Sequence, residues 1–498
     1  MKEHATSRWP LAAAALLLAS TAAVGTLEAA DYYVSPGGDD AGPGSLAAPW
    51  ATIGKAAETL VAGDTVFVRA GTYNETLRPR SSGEAGSPIT YAAYPGETPT
   101  IDGSGLDLSW DGIVAMRDRS HIVISGLRIV NSSYFGIDVV GNSSSITLSD
   151  NVIENCQSSG IHVWFDDGAA TITDIVIDGN DIGTMNMNGD QEGISICGVD
   201  TFVVSRNHVH DGDKEGIDAK QGSSNGRIVG NHVHDIASVG IYVDSSDLPA
   251  SSIEISGNIV HDAGEGVTLA TEGGGSLTDI LVVNNLAYRN VNGFAIHGFN
   301  DVPGSHRKTN LQLINNTFFR HSVLCIQITD DRENFDGFVI RNNLCGEAEG
   351  MVNFNTLLEE DVAMDHNLFA AEPWGPRGTD AIVADPLFVD ADAEDFRLQA
   401  ASPAVDAGSP EAAPAQDLDG IPRPQGAGFD IGAYEAHDPG VEEGLPEVVD
   451  PAGETAEEPA ADLVEEPGFE AAVEEDGAEA ADGDERAASD GGCSCSAS

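Results

Sequence analysis

The ten residues Asp213–Gly222, DKEGIDAKQG, hold two of the chain's five lysines, Lys214 and Lys220, among Asp213, Glu215 and Asp218. An amine set between carboxylates has two uses. On an exposed surface it balances charge, where an ion pair contributes under ~1 kcal/mol. In a site it moves a proton, with its neighbours tuning its basicity. The chain has a formal net charge of −58, so cations are scarce.

The stretch is one copy of a recurring phrase: FGIDVV, SGIHVW, EGISIC, EGIDAK, VGIYVD, EGVTLA and NGFAIH, with glycines Gly136, Gly160, Gly193, Gly216, Gly240, Gly266 and Gly293. The first and third residues after each glycine are apolar and face a core, so period-two alternation sends the second and fourth outward. One outward column reads Asp138, His162, Ser195, Asp218, Tyr242, Thr268, Ala295, and the other Val140, Trp164, Cys197, Lys220, Asp244, Ala270, His297. Glu192 and Glu215 stand just before their glycines at the loop edge, with Asp190 and Asp213 close behind. The expectation is one exposed strip holding an acidic cluster, one lysine and several aromatics. Lys214 is expected to be the charge balancer.

That inventory suits β-elimination of a uronic-acid polysaccharide. Removing the proton α to a carboxylate creates a dianion, which a Ca2+ ion in hard oxygen ligands can neutralise. Glu192, Asp213, Glu215 and Asp218 are the candidate Ca2+ ligands. Lys220 is the candidate base, with Tyr242 and His162 as further catalytic candidates, and Trp164 and Asp244 as candidates for holding the sugar. The cation also lets an acidic protein bind an acidic polysaccharide. Nucleic acid and anionic membranes are excluded as partners by a pI near 4.1. His208, His210, His232, His234 and His261, each near an aspartate, form outward columns suggestive of a metal site. The alternation of NHVHD repeats is a sufficient explanation for them.

These residues need an element that repeats. A second phrase supplies it: SDNVIEN, DGNDIGT, SRNHVHD, VGNHVHD, SGNIVHD, VNNLAYR, INNTFFR, RNNLCGE and DHNLFAA. It aligns Asn151, Asn180, Asn207, Asn231, Asn258, Asn285, Asn316, Asn343 and Asn367 at the spacing of a solenoid. The apolar runs are short, alternate with period two and are rich in β-branched residues, so they are strands. Stacked turn on turn they give a parallel β-helix of about ten rungs, all-β, in which like residues lie ~4.8 Å apart. The asparagines then form a ladder at a bent corner.

With these repeats the chain resembles the right-handed parallel β-helix proteins of the pectate-lyase-like superfamily, over roughly residues 31–370. The run Lys214-Glu215-Gly216-Ile217-Asp218 matches in part an acidic metal-ligand motif of calcium-dependent pectate lyases. Glu215 followed five residues later by Lys220 resembles the metal-ligand and base pair of alginate- and chondroitin-type lyases. The arginine those lyases carry one rung on falls near Ser245 and is absent here.

Residues 31–105 resemble the N-terminal cap and first coils of secreted members, with ATIGKAAETLV as a short capping helix. Coils follow over 106–370. Residues 371–436 resemble a module found beside surface-anchoring tails and are expected to cap the far end. Residues 437–498 read as a disordered acidic tail. Residues 1–30 read as a signal peptide whose apolar stretch, Leu11–Val24, is short for a membrane anchor. The protein is therefore expected to be secreted or on a bacterial cell surface, without a membrane span when mature, and monomeric. Cys156, Cys197, Cys325 and Cys345 are expected to be buried free thiols. Two other functional classes remain open: a non-catalytic adhesin or glycan-binding β-helix, and a uronan epimerase or glycosidase.

Overall fold

The computed structural model describes residues 29–165, 172–185, 191–298 and 306–436. The expected tail, most of the signal segment and Asp190 lie outside these residues. Three strands per turn wind through about 11 turns of a parallel β-solenoid. One face is a continuous sheet built from strands such as Ser120–Ser125, Ser144–Ser149 and Ile172–Asp178. The other two faces merge into a 21-stranded sheet, because some coils run through the second corner without interruption, as in His232–Ser245 and Ile259–Thr271. Inward residues such as Ile122, Ile146 and Ile175 stack in register and are fully buried.

The repeated phrases have physical causes. All nine ladder asparagines are buried. From Asn180 onward each Oδ1 accepts from the backbone N–H and the Nδ2–H of the preceding asparagine, as Asn231 Oδ1 does from Asn207 at 3.0 and 3.0 Å. Each Nδ2 also donates to a carbonyl one turn back, such as Asn231 to Val204 at 2.9 Å. The residue before each asparagine takes a left-handed conformation, among them Asp150, Gly179, Arg206, Gly230, Gly257 and Asn284. This is why Gly, Asn and Asp recur there. At the glycine column, a Cβ on Gly216 would sit 2.6 Å from the carbonyl oxygen of Gly240 on the next coil.

The near end is covered as expected. Helix Ile53–Thr59 buries Ile53, Ala56 and Ala57 against the first coils. Its N-terminus is held by the Thr52 cap and by Glu75, which accepts from Ile53 and Gly54 N–H at 2.9 Å each.

The C-terminal module corrects an expectation. Residues near Trp374 close the last coil, where the Trp374 ring lies over Gly350. The remainder does not cap the end. It runs back along the flank of the solenoid, where Phe388, Phe396, Leu398 and Ile431 pack on Leu286, Phe319, Leu344 and Leu368 from four successive coils. Asn284, Asn315 and Asn342, each beside a ladder asparagine, donate to carbonyls of this segment (Gln416 at 2.6 Å, Asp430 and Ser409 at 2.9 Å). An apolar flank needs cover along its length, and that decides where the module lies. Cys156, Cys197, Cys325 and Cys345 are buried, with no disulfide among the described residues.

Candidate active site

The two outward columns stand as the alternation demands. Strand register aligns Trp164 with Cys197, Cys197 with Lys220, and Ala270 with both Asp244 and His297. It likewise aligns His162, Ser195, Asp218, Tyr242 and Thr268. The expectation of an exposed strip is overturned. Lys220, Asp218 and Asp244 point away from the solenoid core yet are 6%, 2% and 5% exposed. The residues before the glycines form one wall, and Gln221, Ser246 and Glu272, beyond the strand ends, form the other. Between them lies a cleft of about 420 Å³, with Trp164 also among its lining residues.

Lys220 is its centre. The ammonium donates to Glu192 Oε1 at 2.5 Å and lies 3.1 Å from Asp218 Oδ2. Burial opposes its charge, but Glu192, Asp218 and Asp244 outweigh that and raise its pKa well above the ordinary lysine value. Burial likewise pushes Glu192 up, and the charges of Lys220 and Lys214 overcome this, leaving it at about 2. For Asp218 burial wins over the attraction of Lys220, and nearby Asp244 adds to it, so its pKa lies well above the usual carboxylate range. Glu215 is raised by burial and by the charge of Glu192. One cleft thus sets a glutamate pushed below its usual range and an aspartate pushed above it beside the same lysine, Lys220. Tyr242 is held protonated by burial and by Asp244 and Glu272, and its hydroxyl donates to Glu272 Oε1 at 3.1 Å.

Lys220, Tyr242, Trp164, Asp244, Glu192, Glu215 and Asp218 all line this cleft. Two expected site residues do not. Asp213 is exposed and points elsewhere, because the turn before Glu215 directs it to solvent. His162 is buried behind Trp164, bonded through Nδ1 to Asp138 Oδ1 at 2.8 Å and stacked on Phe135 and on Trp164. It supports the tryptophan ring. Lys214, expected to be a surface balancer, lines the cleft 3.7 Å from both Glu192 and Glu215.

Glu265, Asn292, Glu272 and His297 also line the cleft and are not among the expected site residues. His297 Nε2 lies 3.0 Å from Glu265 Oε2, and Asn292 Nδ2 donates to Glu265 Oε1 at 3.1 Å. Burial raises Glu265, but its bond to His297 brings its pKa below the usual value. The signal was present, since Glu265, Asn292 and His297 occupy the same columns as Glu215 and Lys220 two or three coils on.

The donor set fits a hard cation. Glu192 Oε2, Glu215 Oε2 and Asp218 Oδ1 are buried and have no hydrogen-bond partner among the described residues. In the arrangement found, these carboxylates surround lysine ammonium groups.

Residues 32–178 match the family model described as Pel9A-like, right handed beta helix region, and residues 111–286 and 173–318 match the model of the right handed beta helix region. The chain is a right-handed parallel β-helix protein. Among curated relatives, the uncharacterized protein YwoF of Bacillus subtilis is 27% identical over 436 residues, covering 75% of this chain and 92% of the relative. The pectate lyase PEL9 of Emericella nidulans is 36% identical over 119 residues, 21% of this chain and 29% of that enzyme. The solved pectate lyase Pel9A superposes with a TM-score of 0.53 at 17% identity, covering 82% of this chain and 96% of that one. XylC in complex with xylose gives 0.53 at 12% identity, covering 81% and 98%. At these identities the solved structures establish a shared β-helix fold, and the work of this cleft is argued from its residues.

Proposed function

We propose that this protein is a polysaccharide-active enzyme that cleaves a uronic-acid polymer by β-elimination, with Lys220 as the base. The observation that carries the reading is the buried Lys220 ammonium held by Glu192 and Asp218 in a cleft with an aromatic wall. The partial match to a pectate lyase supports the same class.

In the resting arrangement Lys220 is charged and can only donate. Acting as the base would require the carboxylates around Lys220 to be neutralised, because their charges, that of Glu192 first, hold its proton. A Ca2+ ion held by Glu192, Glu215 and Asp218 would supply charge neutralisation for those carboxylates and for the substrate's own. Lys220 then takes the proton α to the uronate carboxylate, and the electron pair forms a carbon–carbon double bond as the glycosidic C–O bond breaks. Tyr242, kept protonated, supplies a proton to the departing oxygen. Lys214, more exposed than Lys220, pairs with the substrate carboxylate. Trp164, braced by His162, offers a flat face to a sugar ring. Export to the medium or the bacterial surface belongs to the same proposal, since such polymers lie outside cells.

One observation favours a second reading. Two carboxyl groups pushed in opposite directions in one cleft, Glu192 down and Asp218 up, are the pattern of a glycosidase's partner carboxylate and its acid. Incubation with pectate, alginate and chondroitin, with and without Ca2+, separates the readings. Unsaturated products that require Ca2+ and vanish in Lys220→Ala support the elimination. Saturated reducing ends favour hydrolysis. Binding without turnover marks a glycan-binding protein and overturns the enzyme reading.

A further inference from the structure

On the face preceding the cleft strands, five imidazoles share the outer surface of three successive coils. Register pairs His208 with His232, and His210 with His234 and then His261. The close contacts are diagonal: His208 Nε2 lies 2.7 Å from His234 Nε2, and His232 Nε2 lies 2.9 Å from His261 Nε2. Donor atoms of His208, His232 and His234 all fall within 4.8 Å of one another.

The rings are aimed. Asp235 accepts from His234 Nδ1 at 2.7 Å, and Asp262 from His261 Nδ1 at 2.7 Å. Asp181 lies 3.3 Å from His208 Nδ1. Each carboxylate holds the proton on Nδ1, so the Nε2 lone pairs converge. Carboxylates orient metal-binding histidines in the same way. Repetition of the sequence phrase explains why histidines recur, but it does not require aspartates behind His208, His234 and His261 or two ring nitrogens at hydrogen-bond distance.

We propose that His208, His232 and His234 bind a divalent transition ion of the zinc class. Three imidazole nitrogens with water in the fourth position match the tetrahedral preference of such ions at ~2.0–2.1 Å per bond. N···N separations of 2.7–2.9 Å open to this geometry by small ring rotations. Nitrogen donors select borderline ions over Ca2+, so this site differs in chemistry from the oxygen-lined cleft. The surrounding Asp181, Asp211, Asp235 and Asp262 favour a cation further. An ion held here ties two coils together through His208 on one and His232 and His234 on the next.

Untagged protein stripped with a chelator and titrated with Co2+ tests the proposal. The expected result is the visible absorption of tetrahedral Co2+ at one equivalent, displaced by Zn2+ and unaffected by excess Ca2+. The double substitution His208→Gln/His234→Gln removes it, Asp235→Asn weakens binding about tenfold, and His366→Gln leaves it unchanged. The altered side chains are partly exposed, and circular dichroism confirms that each variant is folded. Absence of the band in the wild type, or its persistence in the double variant, overturns the proposal.

Discussion

Lys220 Nζ donates to Glu192 Oε1 at 2.5 Å across adjacent coils, and both side chains are buried. This bond joins the floor of the cleft to its wall. It fixes the charge state of the lysine and couples site chemistry to the stacking of the solenoid.

Removing one partner leaves the other as a buried, uncompensated charge, a change that costs about 3–5 kcal/mol. Lys220→Ala is therefore expected to lower stability by that order as well as to abolish product formation. Lys220→Ala combined with Glu192→Gln removes both charges and recovers much of the stability, but no activity. Urea denaturation of the two variants beside the wild type reads the stability, and product assays read the function.

The same pair sets a pH dependence. Glu192 has a folded pKa of about 2 against an ordinary value of 4.5. Its folded value is depressed, so its contribution is fully present above the ordinary value and is lost as pH falls toward 2. The stability difference between wild type and Glu192→Gln is expected to be flat above that value and to close below it. Denaturation midpoints at a series of pH values check this. Asp218 has the opposite sign, being raised by burial, and favours the folded state as pH falls. Asp218→Asn is therefore expected to stabilise the protein near neutrality, measured by the same titration.

The solenoid and the outward columns were legible in the sequence because each residue's direction follows from local alternation, and stacking copies that direction from coil to coil. Lys220, Asp218, Tyr242 and Trp164 were found in this way. Burial was not legible, because the walls arise from the loop edge and corner on either side of the strand, such as Glu192 and Gln221, whose heights above the strand no alternation encodes. Lys214 and Asp213 are neighbours in sequence, and the turn that sends one into the cleft and the other to solvent is set by packing between coils. The path of the C-terminal module was hidden for the same reason. Its apolar residues match a flank assembled from Leu286, Phe319, Leu344 and Leu368, which are 24–33 residues apart.

The asparagine ladder makes its own prediction. Asn231→Ala strands the N–H of Asn207 and the carbonyl of Val204 in the interior, and it leaves Asn207 and Asn258 without a partner amide on one side. Each unsatisfied buried group costs about 1–3 kcal/mol, so a loss of roughly 2–6 kcal/mol is expected for the two backbone groups. Asn231→Asp retains the acceptor for Asn207 but loses the donor to Val204, and is expected to fall between alanine and wild type at neutral pH. Chemical denaturation of the three proteins reads the order, and a larger loss in Asn231→Asp than in Asn231→Ala contradicts the account.

A packed pair inside the solenoid gives a prediction independent of the site. Phe202 and Gly226 are register partners on adjacent coils, and Phe202 is buried. The neighbouring positions in that column are Ile175 and Ile253. A Cβ on Gly226 would lie 2.0 Å from Phe202 Cζ, so the ring fills the space that a side chain at 226 would need. Gly226→Ala is expected to destabilise by about 1–3 kcal/mol through overpacking. Phe202→Leu alone leaves a cavity and also destabilises. Together the two changes restore volume where it was lost, so the double variant is expected to be more stable than the sum of the single effects. A denaturant double-mutant cycle measures the coupling, and strict additivity contradicts the compensation.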